Sequence, residues 1–216
     1  MVRILYFSRQ YTVHDHRFLT ALVNSNYEVF FLCLEQRGYP LEERELPQGV
    51  EQVDWVGGKH PFRWSEFPRF LTDLKRVLQQ VKPDLVQAGP LQTAALLVAS
   101  TGYQPLVSMS WGYDLLIDAD KNPFYRWATR YVLSNSGAML GDCDTIRKSA
   151  LAYGMPNERI VTFPWGIDLQ QFSPADKRSE QETFTLLSTR SWEPLYGVDI
   201  LAQAFVLAAR QEPSLR

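Results

Sequence analysis

At 216 residues the chain is long for one average domain and short for two, and its 45% hydrophobic and 21% charged content is ordinary globular usage, which excludes a disordered or collagen-like chain. A net charge of −2 gives no overall field that attracts polyanions, so nucleic acid is disfavoured as a main partner. The apolar N-terminal run is too short for a signal sequence, no stretch approaches the roughly 20 apolar residues of a membrane span, and Cys33 and Cys143 lie far apart, so the chain reads as cytoplasmic with two buried thiols.

Short β-rich runs alternate with helical patterns, the signature of a parallel sheet covered by helices on both faces. The pattern predicts strands over 2–7, 28–34, 51–56, 84–88, 106–110, 137–141 and 159–162. Helices are expected near 14–25, 66–82, 90–101, 121–134 and 143–153. The fold class is therefore α/β, a doubly wound and mainly parallel Rossmann-like sheet formed by residues 1–169.

The first strand delivers the loop Ser8 to Arg17 to the carboxyl edge of the sheet, where open α/β sheets place ligands. That loop contains no glycine, so the G-x-G-x-x-G fingerprint of dinucleotide binding is absent and a Rossmann dehydrogenase is disfavoured. His14, Asp15 and His16 cluster here. Side chains two apart on a helix point different ways, which argues against a metal pair and leaves polar helix capping and ligand binding or proton transfer both open.

The next informative segment, Lys59 to Phe70, interleaves cations with aromatics and fits either a core stripe with a solvated basic face or a surface for an anionic membrane or a lipid-linked acceptor. In the helix that follows, Phe67, Leu71, Leu74, Leu78 and Val81 recur on one face, Ser65 is a candidate N-cap, and Lys82-Pro83 ends the run. The fifth strand runs into Ser110-Trp111-Gly112-Tyr113-Asp114, where a glycine turn aims Asp114 either into the cleft or onto the next short helix as a cap.

Toward the end of this domain, Phe163-Pro164-Trp165-Gly166-Ile167-Asp168 has the Pro and Gly chemistry of a hinge. Residues 170–182 are polar without an apolar face and read as a linker. A strand over 183–189 and a helix near 197–211 follow; one β-α pair cannot bury its own faces, so 183–216 read as the beginning of a second, incomplete Rossmann-like domain. Between them Arg190 is placed to neutralise a diphosphate with its planar fork, or else is a surface cation.

Three segments together resemble the family-4 retaining glycosyltransferases of GT-B fold. Pro164-Trp165-Gly166-Ile167-Asp168 with Phe172 and Pro174 is similar to the family's Pro-Asn-Gly-Val-Asp…Phe-x-Pro. Arg190…Gly197-Val198-Asp199-Ile200-Leu201 with Ala204 resembles the opening of its donor-side domain, and Trp111-Gly112-Tyr113-Asp114 its His/Trp-Gly-Ser-Asp. The resemblance implies transfer of a sugar, with retention, from a nucleotide-sugar donor to the hydroxyl of a sugar or lipid-linked acceptor, with no cofactor and no metal; peripheral contact at the inner face of the membrane is the expectation that the cationic aromatic segment adds. By the same resemblance Asp114 and His14 are the catalytic candidates, and Arg190 contacts the donor diphosphate. Tyr11, Thr12, His16, Trp111 and Tyr113 face the acceptor, and Pro164, Gly166 and Asp168 form the hinge. The chain departs from the family pattern at Tyr11-Thr12-Val13, where many relatives carry a Gly-Gly pair, at Trp111, which replaces a histidine, and at Tyr196, which replaces a lysine. The rival readings are an acceptor-binding or regulatory module of the same fold, and an unrelated nucleotide-binding protein of the epimerase kind, which the missing glycine-rich loop disfavours.

Overall fold

The computed structural model describes residues 1–38, 40–169, 172–174, 185–212 and 214–215. Contacts divide the chain into two compact units, Met1–Gly166 and Ile167–Arg216.

The first unit is built on seven parallel strands: β1 Arg3–Ser8, β2 Glu28–Cys33, β3 Val50–Gln52, β4 Leu85–Gly89, β5 Leu106–Met109, β6 Ala138–Gly141 and β7 Ile160–Thr162. Their order in the sheet is β3-β2-β1-β4-β5-β6-β7. The chain therefore winds outward from β1 in one direction, returns, and winds outward from β4 in the other, which opens a crevice between the ends of β1 and β4. Helices α1 Val13–Asn24, α2 Phe67–Val81, α3 Leu96–Thr101, α4 Tyr113–Leu116, α5 Pro123–Ser134 and α6 Asp144–Ala152 cover the two faces.

Alternation along the central strands divides the core in two. Leu5, Phe7, Phe30 and Leu32 face the larger cluster with Leu74, Val77 and Val81 of α2 and Leu97 of α3. Tyr6, Val29, Phe31 and Met109 face the other way, onto Leu19, Phe18 and Leu22 of α1. Because both faces are covered, Ile4 to Ser8 are all buried, whereas edge strand β3 leaves Glu51 and Gln52 exposed.

The expected strands and helices of the first unit are present, with four differences. The strand expected over 51–56 stops at Gln52, although Val53 and Trp55 are buried. One backbone bond to β2 continues, from Val53 N–H to the Phe31 carbonyl at 3.0 Å; after it side chains take over, with Val56 N–H donating to the Asp73 carboxylate at 2.9 Å and the Trp55 ring Nε1–H to the Cys33 carbonyl at 2.9 Å. The helix expected over 90–101 opens with a wide π-type turn, Leu91–Ala95. Ser65 caps nothing; a 3₁₀ turn, Trp64–Glu66, leads into α2, and Phe70 and Val77 are buried while Phe67 and Leu71 are only partly so. Cys33 is half-buried and Cys143 is exposed, each a free thiol, so the expectation of two buried thiols is met in part by Cys33 and fails for Cys143, which precedes α6 at the surface.

In the second unit, α7 Val198–Ala209 forms as expected, with Ile200, Leu201, Val206 and Leu207 exposed. The strand expected over 183–189 is not formed at 185–189; residues 183 and 184, like most of the expected linker 170–182, lie outside the described residues. A strand requires a neighbour to complete its hydrogen-bond ladder, and among the described residues of this unit no strand stands beside it.

Candidate functional site

Every strand of the sheet ends on the same edge, so the loops after β1, β4, β5 and β6 share one rim. The close approach of β4 to β5 at this rim requires Gly89, since a Cβ there would collide with the Met109 carbonyl oxygen.

Asp114 lies in the first turn of α4 and is buried. One oxygen accepts Ser110 Oγ–H at 2.7 Å and Trp111 N–H at 3.0 Å; the other accepts Leu91 N–H at 2.9 Å. Its backbone carbonyl accepts Gln92 Nε2–H at 2.8 Å, and the same amide donates to Thr129 Oγ1 at 2.8 Å. The carboxylate thus ties the β4 loop to the β5 loop. Burial pushes its carboxyl above the ordinary range, and the donors from Leu91, Ser110 and Trp111 pull it partway back.

The start of α1 is held in a comparable way. Thr12 and Asp15 form a reciprocal capping box: Asp15 N–H donates to Thr12 Oγ1 at 3.3 Å and Thr12 N–H to the Asp15 carboxylate at 2.8 Å. Asp15 is fully buried and also accepts the Tyr6 hydroxyl at 2.9 Å and the Thr12 hydroxyl at 2.6 Å. Burial pushes its carboxyl up to about 6, against these bonds.

His14 and His16 face different partners. His14 stacks on Trp111 with ring centroids 5.6 Å apart, and Arg17 Nη2 donates to its Nδ1 at 2.6 Å. Burial, then the Arg17 charge, hold its imidazole below the usual value, opposed by Asp142, so it is neutral at pH 7. His16 Nδ1 is 2.6 Å from the Tyr11 hydroxyl, whose pKa is pushed up to about 12 by burial and by Glu42; burial also lowers His16. Among the described residues no group of three or more His, Cys, Asp and Glu stands close enough to hold a metal ion.

His14 and Asp114 therefore stand on the same edge, bridged by Trp111. Tyr113 is half exposed beside them. The segment expected as a hinge is clamped to α1 as far as Gly166: Trp165 packs edge-on against Phe18 (5.0 Å) and Trp111 (6.0 Å), and Arg17 Nη1 donates to the Gly166 carbonyl. Gly166 adopts φ +73°, a conformation that glycine takes without strain. Pro164 belongs to this clamped segment. In the second unit, the Asp168 carbonyl accepts Phe172 N–H at 2.8 Å, and the Arg190 guanidinium lies over the Tyr196 ring, 5.4 Å from its centroid.

Sequence reasoning missed four groups at this rim. Arg17 links His14 to Gly166, yet its buried Nε has no partner, nor has the buried Asp142 Oδ1. Gln92 braces Asp114, and Glu35, buried at the end of β2, gathers Arg9 and Arg37. The Thr12-x-x-Asp15 spacing was a legible capping signal; nothing local marks Asp142 or Gln92, whose neighbours His14, Asp114 and Thr129 are brought by the fold from 22 or more residues away.

The doubly wound parallel sheet, with its strand order reversing at the β1/β4 switch point, defines a Rossmann-like domain. Residues 12–166 match the glycosyl transferase 4-like domain, and the chain belongs to that family. No curated protein sequence matches the chain. Among solved structures it is similar in fold to Anabaena HepE in complex with UDP and glucose, at 17% identity and a TM-score of 0.64 over all of this chain and 59% of that one. It is also similar to the Methanocaldococcus jannaschii UDP-GlcNAc 2-epimerase in complex with UDP-GlcNAc and UDP, at 16% identity and TM-score 0.58 over 75% of this chain and 46% of that one. The apo lipopolysaccharide outer core galactosyltransferase WaaB aligns at 11% identity and TM-score 0.52 over 74% and 44%. The chain thus spans between 44% and 59% of the length of these structures.

Proposed function

We propose that the chain is the acceptor-side domain and the opening of the donor-side domain of a glycosyltransferase that transfers a sugar from a nucleotide-sugar to an acceptor hydroxyl with retention. The observation that carries this reading is the family match over 12–166 laid on a rim where His14, Trp111 and the hinge residues Trp165 and Gly166 are in contact. The HepE and epimerase structures are complexes with UDP or a UDP-sugar, which supports a UDP-sugar as the first donor to test.

In this reading neutral His14, half-buried with its ring stacked on Trp111, contacts the reacting hydroxyls, and Asp114 acts through the loops it holds. Tyr11, His16 and Tyr113 line the acceptor side. Arg190 stabilises the departing diphosphate electrostatically, so no metal or other cofactor is required. Binding donor and acceptor between two domains converts a bimolecular encounter into a positioned one. The test is turnover of UDP-sugars by the 216-residue chain and by a version carrying a donor-side domain. The longer version is expected to turn over and the shorter one not; in the longer one Arg190→Ala is expected to lower kcat by roughly 100-fold. Transfer by the 216-residue chain, or full activity of Arg190→Ala, would overturn the assignment.

The cationic aromatic surface belongs to the same proposal. Trp64, 39% exposed, packs on Phe124 at 5.1 Å, and Phe124 and Trp127 are also exposed, with Arg63 and Arg130 nearby in sequence. No helix among the described residues is long and apolar enough to cross a membrane. Such a face suits peripheral contact with an anionic bilayer and a lipid-linked acceptor. The chain is expected to co-sediment with phosphatidylglycerol vesicles and to release as salt rises, with Trp127→Ser binding more weakly; salt-independent absence of binding would remove the membrane from the reading.

A further inference from the structure

We propose that Arg9 and Arg37, mounted on the buried carboxylate of Glu35, form a subsite for an anionic group of the acceptor, such as a sugar phosphate. This deepens the function proposed above and rests on it for the word acceptor.

The construction is unlike a surface ion pair. Glu35 is 1% exposed; its Oε1 accepts Arg9 Nε–H at 2.8 Å and Arg37 Nε–H at 2.9 Å, and its Oε2 accepts Phe62 N–H at 2.8 Å. A shared oxygen places the two guanidiniums within about 6 Å of each other, where like charges repel. One carboxylate offsets one of them, leaving a unit positive charge. Each guanidinium spends only its Nε on Glu35, and the Nη nitrogens of both have no protein partner among the described residues. Two forks with free N–H donors, fixed by a buried anchor, match the oxygens of a phosphate or carboxylate.

The placement supports a ligand over a purely structural role. Arg9 directly follows β1 and Arg37 lies shortly beyond β2, so both stand on the ligand-bearing edge of the sheet. Beside them a cavity of about 230 Å³ is lined by Gln10, Tyr11, Gln36, Arg37, Glu42 and Gln52, side chains that can hydrogen-bond hydroxyl groups. Glu42 does not oppose an anion there as a bare charge would, because Arg44 holds it through Nε at 2.9 Å and Nη2 at 2.6 Å. The site needs nothing from the second unit.

The test is calorimetric titration of the 216-residue chain with glucose 1-phosphate, inorganic phosphate and glucose. Glucose 1-phosphate is expected to bind at least about tenfold tighter than glucose and measurably tighter than inorganic phosphate, since both the anion and the hydroxyl contacts count. Arg37→Gln, at a half-exposed side chain, is expected to weaken it about tenfold with an unchanged circular dichroism spectrum, and Arg37→Lys less, since the charge remains. Equal binding of glucose and its phosphate, or an Arg37→Gln variant that binds normally, would overturn the subsite; inorganic phosphate binding as well as the sugar phosphate would overturn its assignment to an acceptor. Transferase failure of the longer protein with this titration intact would remove only the function proposed above.

Discussion

Asp114 and Glu35 are both carboxylates buried at the carboxyl edge of one sheet, yet they do opposite work. Asp114 is surrounded by neutral donors, Leu91 N–H, Ser110 O–H and Trp111 N–H, and its charge is consumed in holding two loops together. Glu35 is surrounded by two guanidiniums that reach solvent, and its charge holds cations in place facing outward. A buried anion with neutral partners builds a scaffold; one with cationic partners builds a surface charge of defined geometry.

The largest expected effect tests that difference directly. Asp114→Ala strands two backbone N–H groups and a hydroxyl in the interior, at an expected cost of about 4 kcal/mol. That corresponds to a melting point lower by roughly 12 °C. Glu35→Ala strands only Phe62 N–H, because water can reach both guanidiniums, and is expected to cost about 1–2 kcal/mol. Thermal unfolding of the two variants in the reverse order would break the comparison.

A third buried carboxylate sharpens it. Asp15 has neutral partners like Asp114, and its carboxyl is pushed up to about 6 from 3.8. The folded protein therefore holds a proton that the unfolded chain releases between about pH 4 and pH 6, so this group's contribution is full below pH 4 and is lost as pH rises through 6. The loss amounts to roughly 3 kcal/mol. Urea unfolding between pH 4 and pH 7 should show stability falling through that window relative to Asp15→Asn; parallel profiles would mean that Asp15 is ionised throughout.

The sheet was legible because buried parallel strands are continuous apolar runs, as in Val29 to Leu32, and because helices such as α2 repeat their apolar face. The overrun at 51–56 shows the limit of that signal: Val53 and Trp55 alternate like strand residues but enter the core from a loop, Trp55 against Phe7 and Phe70. The rim was legible one loop at a time. His14, Trp111 and Gly166 were singled out separately, while the links among them, Arg17 and the Trp165 ring, depend on α1 and the exit of β7 meeting in space. Glu35 carried a local signal, an acid closing an apolar strand with an arginine two residues on, but Arg9 joins it only through β1 pairing with β2.

The clamp on the exit segment has a mechanical consequence. Phe18 and Arg17 sit on adjacent positions of α1, and between them they hold the Trp165 ring and the Gly166 carbonyl. The same helical turn carries His14, so the exit of the domain as far as Gly166 and the imidazole over Trp111 rest on one short stretch of α1, and a loss of order in that turn would loosen both together.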